Sequence, residues 1–582
     1  MFARLRPLVP YLKRYWKSLA WGGVAVVFYN VIKVILPLVI GHAIDDMHHG
    51  VTEAKIIHHA LRLLAVAALS AIFLYITRQV IIGASREIEF DLRNDLFANL
   101  ERQPPNFYHT HRTGDIMART TNDLNAVRQL LGPAIMYSAN TIVFTAAALP
   151  FMWRISPKLT LCAFVPLPIA SVLVQYFGNR IHTRFERIQA MFSDISAKAQ
   201  ENFSGARLIR AFAQEDAEIA SFETANQEYI RRSLLLVRLM AMLWPTLVFV
   251  LGLSLMISLL VGGHEVVAHR ISVGQYASFN VYMVQLTWPM IAIGWVVNLF
   301  QRGTASVVRI DELLKQKPEI WDAEDEEFAT EPIAGAITFR GLNFAYKPGT
   351  PVLEGIDLEI PEGSSLALVG PTGSGKSTLV NLVPRLQDAA AGMVLIDGRP
   401  IRDFKLEELR RAIGFVPQET FLFSNTIQDN IAFGTPEATL DEVERAAETA
   451  HIRTEVLEFP KGFETMVGER GVTLSGGQKQ RTAIARAVIR EPKILILDDA
   501  LASVDTYTED QILSGLRRVM QGRTTIFIAH RVSTARHADQ IAVLVDGRIA
   551  ELGTHEELLG RGGYYTSLYE KQQLEEELAV TS

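Results

Sequence analysis

The stretch SLALVGPTGSGKSTLV carries the residues with the most defined chemistry. An apolar strand, Leu366–Val369, runs into Gly370, Pro371, Thr372, Gly373, Ser374, Gly375, Lys376, Ser377 and Thr378, and then into a helix. Glycines at this spacing let backbone N–H groups converge on a polyphosphate, and the following helix adds its N-terminal dipole. Lys376 is placed to reach the terminal phosphates, and the Ser377 hydroxyl to ligate Mg2+. A second stretch, ILILDDALASVD, begins with four apolar residues and leads to Asp498. A buried strand delivers a carboxylate beside the metal of a phosphate site in this way. Asp498 as a helix cap is disfavoured by the apolar run before it. Together these residues describe a site for a Mg2+-bound nucleoside triphosphate.

The elements that must position this site belong to more than one domain. The chain has 582 residues and 64.9 kDa, too long for a single hydrophobic core. Hydrophobic residues make up 49%, and the mean hydropathy of +0.16 hides an apolar first half and a soluble α/β remainder. The net charge of -6 comes with no basic block, which argues against nucleic acid as a partner. The single cysteine, Cys162, excludes an intrachain disulfide and reads as a small packing residue.

A bilayer core of ~30 Å needs about 20 mostly apolar residues per helix. Six segments meet that length, with soft boundaries: Leu19–Ile44, Ile57–Gly83, Leu131–Ile155, Leu159–Gly178, Met240–Val261 and Val273–Phe300. Lys13, Arg14 and Lys17 precede the first, whereas DDMHHGVTEAK follows it, so the charge asymmetry places the N-terminus in the cytoplasm. Six crossings return the chain there after Gln301. The basic, mildly amphipathic start MFARLRPLVPYLKRYWKSL lacks a small-residue cleavage site; a helix on the cytoplasmic membrane surface is expected, not a signal peptide. The long inner segments REIEFDLRNDLFANLE and AEIASFETANQEYIRRSLLL keep helical periodicity, so the spanning helices are expected to continue past the membrane. At their tips, His111–Asp123 and Glu201–Asp216 each place a Gly before a short amphipathic helix, the form of a lever that docks on another domain.

Within the spans, Lys33 is costly unless it faces a wet cavity or a partner, and Arg78 can snorkel to the inner interface. Trp244-Pro245 in span five, and Met283, Trp288-Pro289, Met290 and Trp295 in span six, suit kinked helices around an adaptable cavity. Ordinary helix packing explains them equally well. Residues Leu313–Ala334 form a linker in which Asp322, Glu324, Asp325, Glu326 and Glu327 read as a solvated charge run. The tail after Tyr569, EKQQLEEELAVTS, reads as an exposed helix or disorder.

The segment VTLSGGQKQRTAIARAVIREPKILILDDALASVD resembles the core of an ATP-binding cassette (ABC) domain, with LSGGQ at Leu474–Gln478 similar to the family signature. Six spans followed by one cassette resemble a bacterial half-transporter of the exporter type. That resemblance implies a helical transmembrane domain over 1–312, an acidic linker over 313–334, an α/β P-loop cassette over 335–570 and a tail over 571–582. It implies ATP and Mg2+ as cofactors and roles for several further residues. Tyr346 falls where an aromatic stacks on adenine, and Gln418 at the loop that ligates Mg2+ and senses the membrane domain. Glu469 matches a loop touching the coupling helices, Asp505 the loop crossing between cassettes, and His530 the γ-phosphate switch. Ser475, Gly477 and Gln478 of one chain would cap ATP held by another, so the resemblance implies a dimer. The two tips, near Thr113–Arg119 and Ala206–Glu215, would carry closure of the cassettes to the membrane half.

Asp499 departs from this pattern, because the family places a glutamate there to polarise the attacking water. Aspartate is shorter by one carbon–carbon bond, about 1.5 Å, which leaves ATP binding intact and weakens hydrolysis. With an intact LSGGQ, the chain resembles one half of a heterodimeric exporter whose second half supplies the glutamate. The reading is ATP-driven export of amphiphilic small molecules, multidrug or lipid-like, from a multi-pass position in the bacterial cell membrane with the cassette cytoplasmic. A homodimer with Asp499 as a slow base, and a nucleotide-gated channel or regulatory subunit, are the alternatives. A soluble cassette acting on nucleic acid is excluded by the spans, and an importer is disfavoured because importers separate spans and cassette.

Overall fold

The computed structural model of the protein describes residues 2–48, 50, 52–322, 328–347, 349–500 and 519–581. By its contacts the chain divides into two units, Met1–Glu101 with Arg112–Gln316, and Arg102–His111 with Lys317–Ser582.

The first unit is helical: α1 (Trp16–His48), α2 (Glu53–Glu101), then, after the short α3 (Pro105–Thr110) of the other unit, α4 (Thr113–Ile155), α5 (Pro157–Phe164), α6 (Pro166–Ser204), α7 (Ala206–Ala211), α8 (Glu215–Val267) and α9 (Val273–Leu314). Five of these, α1, α2, α4, α8 and α9, are long and apolar enough to cross a membrane. The expected span Leu159–Gly178 is not among them. It is divided at Val165 between α5 and α6, where Pro166 removes a backbone donor and ends the first helix. The expectation of long inner helices agrees with the structure: α2 has 49 residues and α8 has 53. At about 1.5 Å per residue these reach on the order of 75–80 Å, more than twice a ~30 Å hydrocarbon core.

Thr113–Arg119, one of the two expected levers, lies within the first unit, and the short stretch before it, Arg102–His111, is grouped with the second. Pro104-Pro105 separates α2, which ends at Glu101, from α3. The N-terminal segment, expected as a helix on the membrane surface, packs on the helices of the same unit. Leu8 is buried against Leu92, Val127, Val307 and Ile310, while Tyr11 Oη donates to Asp95 at 2.6 Å and Arg14 pairs with Asp91 at 3.0 Å.

Close helix crossing fixes one end of this unit. A Cβ on Gly274 would lie 2.0 Å from the Gly41 carbonyl oxygen, so α1 and α9 touch backbone to backbone there. Asp45 locks the crossing by accepting from Ser272 Oγ and from Gly274 N, and Ser272 also caps α9.

The second unit has two sheets. The smaller is antiparallel, in the order β2 (Leu353–Ile360), β1 (Ile337–Phe344), β4 (Val394–Ile396), β5 (Arg399–Pro400). The larger runs β10 (Arg548–Gly553), β9 (Gln540–Val545), β3 (Ser365–Val369), β8 (Thr524–Ile528), β7 (Ile494–Leu497), β6 (Ile413–Val416), all parallel except β10. Its inner strands are near-continuous Val, Ile and Leu because helices cover both faces. The register pairs Leu368 with Ile528, and Leu497 with both Phe527 and Val416. The carboxyl ends of β3, β6, β7 and β8 therefore form one edge, where an open parallel sheet binds its ligand. Asp322 leaves the solvated role expected of it, since both its carboxylate oxygens accept from Leu406 N. Glu324, Asp325, Glu326 and Glu327 lie outside the described residues.

Candidate functional site

The P-loop begins where β3 ends. Gly370 has φ +150, and a Cβ there would sit 2.1 Å from the Leu544 carbonyl oxygen, so the turn admits glycine alone. Gly375, at φ +100, then starts helix α10 (Lys376–Leu382). Lys376 is buried, and its Nζ folds back to donate to the Gly370 and Pro371 carbonyls, each at 2.9 Å. Burial pushes its ammonium below the usual lysine range, against the opposing pull of Asp498 and Asp499. The Ser374 hydroxyl is buried with no hydrogen-bond partner among the described residues. A folded-back lysine and an orphaned buried hydroxyl are what a polyphosphate would satisfy, so these residues fit the group.

Ser377 Oγ donates to Asp498 Oδ1 at 3.0 Å. That contact joins the P-loop helix to the end of β7, and Asp498 N donates to the Val416 carbonyl at 2.9 Å, tying in β6. Burial raises the Asp498 carboxyl above its ordinary range, with Asp499 adding to the effect and the Ser377 hydrogen bond opposing it. A buried carboxylate beside a hydroxyl at the end of a parallel strand fits a Mg2+ ligand. Gln418 is exposed two residues past the end of β6, at the same sheet edge.

Asp499 takes up a left-handed backbone at φ +51, one of few non-glycine residues to do so. Its Oδ2 lies 3.7 Å from His530 Nε2, too far for a hydrogen bond. Tyr346 Oη shares a hydrogen bond of 3.1 Å with Thr378 Oγ1, and its ring stands edge-on to Phe344 with nearly half its surface exposed. The structure thus brings Tyr346, Gly370–Thr378, Asp498, Asp499 and His530 together, with Pro371, Thr372 and Gly373 forming the loop between them.

The signature residues stand apart from this cluster. Ser475 caps α13 (Gly476–Val488), which packs on β6, α11 (Ile427–Ile431) and α12 (Leu440–Thr449). Ser475 Oγ accepts from Gln478 N, Gln478 Oε1 accepts from Ser475 N, and Gln478 Nε2 donates to Glu455 at 2.9 Å. Ser475 and Gly476 are exposed and Gly477 is half-buried, leaving a helix N-terminus open to an anion. Glu469 is exposed on the turn before it, and Asp505 lies outside the described residues.

One residue of the site was missed in the sequence. Gln572, on α14 (Tyr564–Thr581), donates through Nε2 to the His530 carbonyl at 2.7 Å and accepts from Val532 N at 2.7 Å. This clamp holds the His530 loop from both sides. The tail reads as an exposed helix or disorder in the sequence because no local signal ties Gln572 to a strand end made 42 residues earlier.

In the membrane unit, Lys33, Arg78, Trp288 and Pro289 line one cavity. Met283 packs in the core with Phe144 and Tyr282, and Trp295 stands edge-on to Tyr137 at 5.2 Å. Trp244 is exposed and lies outside that cavity. The side chain of Met290 lies outside the described residues.

Comparison with known proteins covers both units. Residues 19–290 match the family described as ABC transporter transmembrane region, and residues 353–502 match the family described as ABC transporter. The chain is 37% identical to the probable multidrug resistance ABC transporter ATP-binding/permease protein YheI of Bacillus subtilis, over 99% of this chain and 98% of that one. It is 36% identical to the multidrug resistance-like ATP-binding protein MdlA of Escherichia coli, over 97% and 96% of the two chains. An ATP-dependent lipid A-core flippase of Syntrophus aciditrophicus is 37% identical over 85% of this chain and 82% of its own. Among solved structures, a bacterial Atm1-family ABC exporter with ATP bound superposes with a TM-score of 0.75 at 29% identity, covering 96% and 98% of the two chains.

Proposed function

The chain belongs to the ABC transporter family, and from that premise we propose that it is one half of an ATP-driven exporter whose second chain carries the stronger hydrolytic base. The exported compounds are amphiphilic small molecules, of the multidrug or lipid-like kind that the names of its relatives describe. The observation that carries the asymmetric reading is Asp499: short, left-handed and out of hydrogen-bond reach of His530, beside an otherwise complete P-loop.

In this reading Gly370–Thr378 wrap the phosphates, Lys376 exchanges its two loop carbonyls for phosphate oxygens, and Tyr346 offers its exposed face to adenine. Ser377, Asp498 and Gln418 hold Mg2+, which when bound neutralises charge on the phosphates. Asp499 orients a water and His530 senses the terminal phosphate, held in place by Gln572. Ser475, Gly477 and Gln478 act on nucleotide held by the other chain, as does Asp505. The membrane half makes six crossings, with α5 and the first turns of α6 together supplying the one that Pro166 divides. Lys13, Arg14 and Lys17 keep the N-terminus and the cassette cytoplasmic. Apolar side chains left uncovered around α7, Phe203, Leu208 and Phe212, are surface for the second chain to cover.

The test is turnover of Mg-ATP by the chain alone in lipid, with nucleotide binding as the folding control. Normal binding with turnover near background, restored by adding a half-transporter that carries the glutamate, supports the shared site. Robust turnover by the chain alone, lost in Lys376→Ala, overturns it in favour of a homodimer with Asp499 as an adequate base.

A further inference from the structure

The cavity holding Lys33 is bounded by α1, α2, α4 and α9, encloses about 140 Å³, and is lined by two cations and no carboxylate. Lys33 Nζ lies 4.6 Å from the ring centroid of Phe144 and 5.8 Å from that of Tyr29. Those π-faces attract the charge but accept none of the three ammonium N–H bonds in full. Neither Lys33 nor Arg78 has an ion-pair or hydrogen-bond partner among the described residues. Other arginines of the same unit are paired: Arg14 with Asp91, Arg128 with Glu89, Arg309 with Asp123. A third donor is close by. Asn30 Nδ2 donates to Asn140 Oδ1 at 2.9 Å, which leaves the Asn140 amide N–H groups without a partner among the described residues.

Unpaired cations inside a membrane protein mark a ligand or ion path, because the charge is otherwise costly there. The size limits what enters. A whole drug-sized ligand fills roughly 300–1,000 Å³, so this cavity takes a headgroup and leaves an apolar body on the exposed ring of Trp288 at its rim. We propose that the cavity binds the phosphate headgroup of an anionic amphiphile, with Lys33 and Arg78 neutralising the charge and Asn140 adding a hydrogen bond. This deepens the exporter reading, on which its transport meaning rests, by naming the charge of the cargo.

The full chain in nanodiscs of neutral phosphatidylcholine, without nucleotide, is titrated with dodecyl phosphate, dodecyl maltoside and inorganic phosphate, empty nanodiscs serving as the blank. Lys33→Met should weaken dodecyl phosphate by at least about tenfold, since a charged hydrogen bond is lost. Lys33→Arg should stay within about threefold of the parent, and dodecyl maltoside should shift by less than about twofold in every variant. Arg78→Met provides the second variant, with the same expected selectivity, should Lys33→Met fold poorly; ATP binding at the cassette reports folding. Unchanged dodecyl phosphate affinity in both Met variants overturns the proposal. So does an equal loss for dodecyl phosphate and dodecyl maltoside, the mark of a collapsed cavity. Inorganic phosphate binding as tightly as dodecyl phosphate overturns the amphiphile and leaves a free-anion site. Because binding is read without ATP, its failure leaves the exporter reading standing. Selective binding in a chain that transports nothing with ATP defeats the exporter reading alone.

Discussion

Lengthening Asp499 to glutamate tests the geometry at the end of β7 most directly. The Asp499 carboxylate stops 3.7 Å from His530 Nε2, short of hydrogen-bond contact, and a general base must come within about 2.6–3.2 Å of the group whose proton it takes, here a bound water. One more carbon–carbon bond adds about 1.5 Å of reach, and displacement of roughly 1 Å can cost on the order of a hundredfold. Asp499→Glu should therefore raise turnover of the chain alone by about ten- to a hundredfold, the equivalent of about 1.4–2.7 kcal/mol in the barrier. The backbone opposes the change. At φ +51 an aspartate is tolerated better than a glutamate, so the variant should lose about 1 kcal/mol of stability, seen as a melting temperature lower by roughly 2–4 °C for a domain of this size. Phosphate release at saturating Mg-ATP and a thermal melt of the nucleotide-free protein measure the two effects separately. Turnover within about twofold of the parent, with ATP binding unchanged, would refute the claim that reach limits this base.

Three further outcomes follow from the contacts described. Gln572→Ala removes both hydrogen bonds on the His530 loop and should lower kcat about three- to tenfold with KM for ATP nearly unchanged, as steady-state kinetics would show. Ser377→Ala takes away the hydroxyl that bridges to Asp498, and the Mg2+ concentration giving half-maximal turnover should rise by about tenfold in a metal titration. Gly274→Ala drives a methyl group into the Gly41 carbonyl, so the helices must part at a cost of about 1–3 kcal/mol, read as a lower melting temperature of the detergent-solubilised protein.

The phosphate site was legible because its information is local. Strand, loop and helix follow one another from Leu366 to Thr378, so the spacing of glycines, Lys376 and Ser377 is also their geometry. Asp498 was readable for the same reason, since Ile494–Leu497 can only be a buried strand. What escaped depends on long-range contact or on a choice the side chain leaves open. Nothing near Gln572 signals that His530 is its partner. Asp499 tolerates right- and left-handed backbone alike, so its φ could not be read from its type. The Pro104-Pro105 break is a local signal, and it ends α2 at Glu101. Pro166 likewise divides a stretch whose hydropathy alone is continuous. Lys33 announced a cost from its sequence position, but which rings surround it, and that no carboxylate does, required the packing of four helices.

The Gln572 clamp also imposes an order on biosynthesis. His530 and Gln572 are 42 residues apart, which a ribosome adding roughly 5–20 residues per second takes about 2–8 s to make. Until then the strand end bearing His530 has been synthesised but not fastened. Every helix of the membrane unit has by that time already been translated, so the nascent chain gains its locked switch loop only after its membrane-crossing half has become available for insertion.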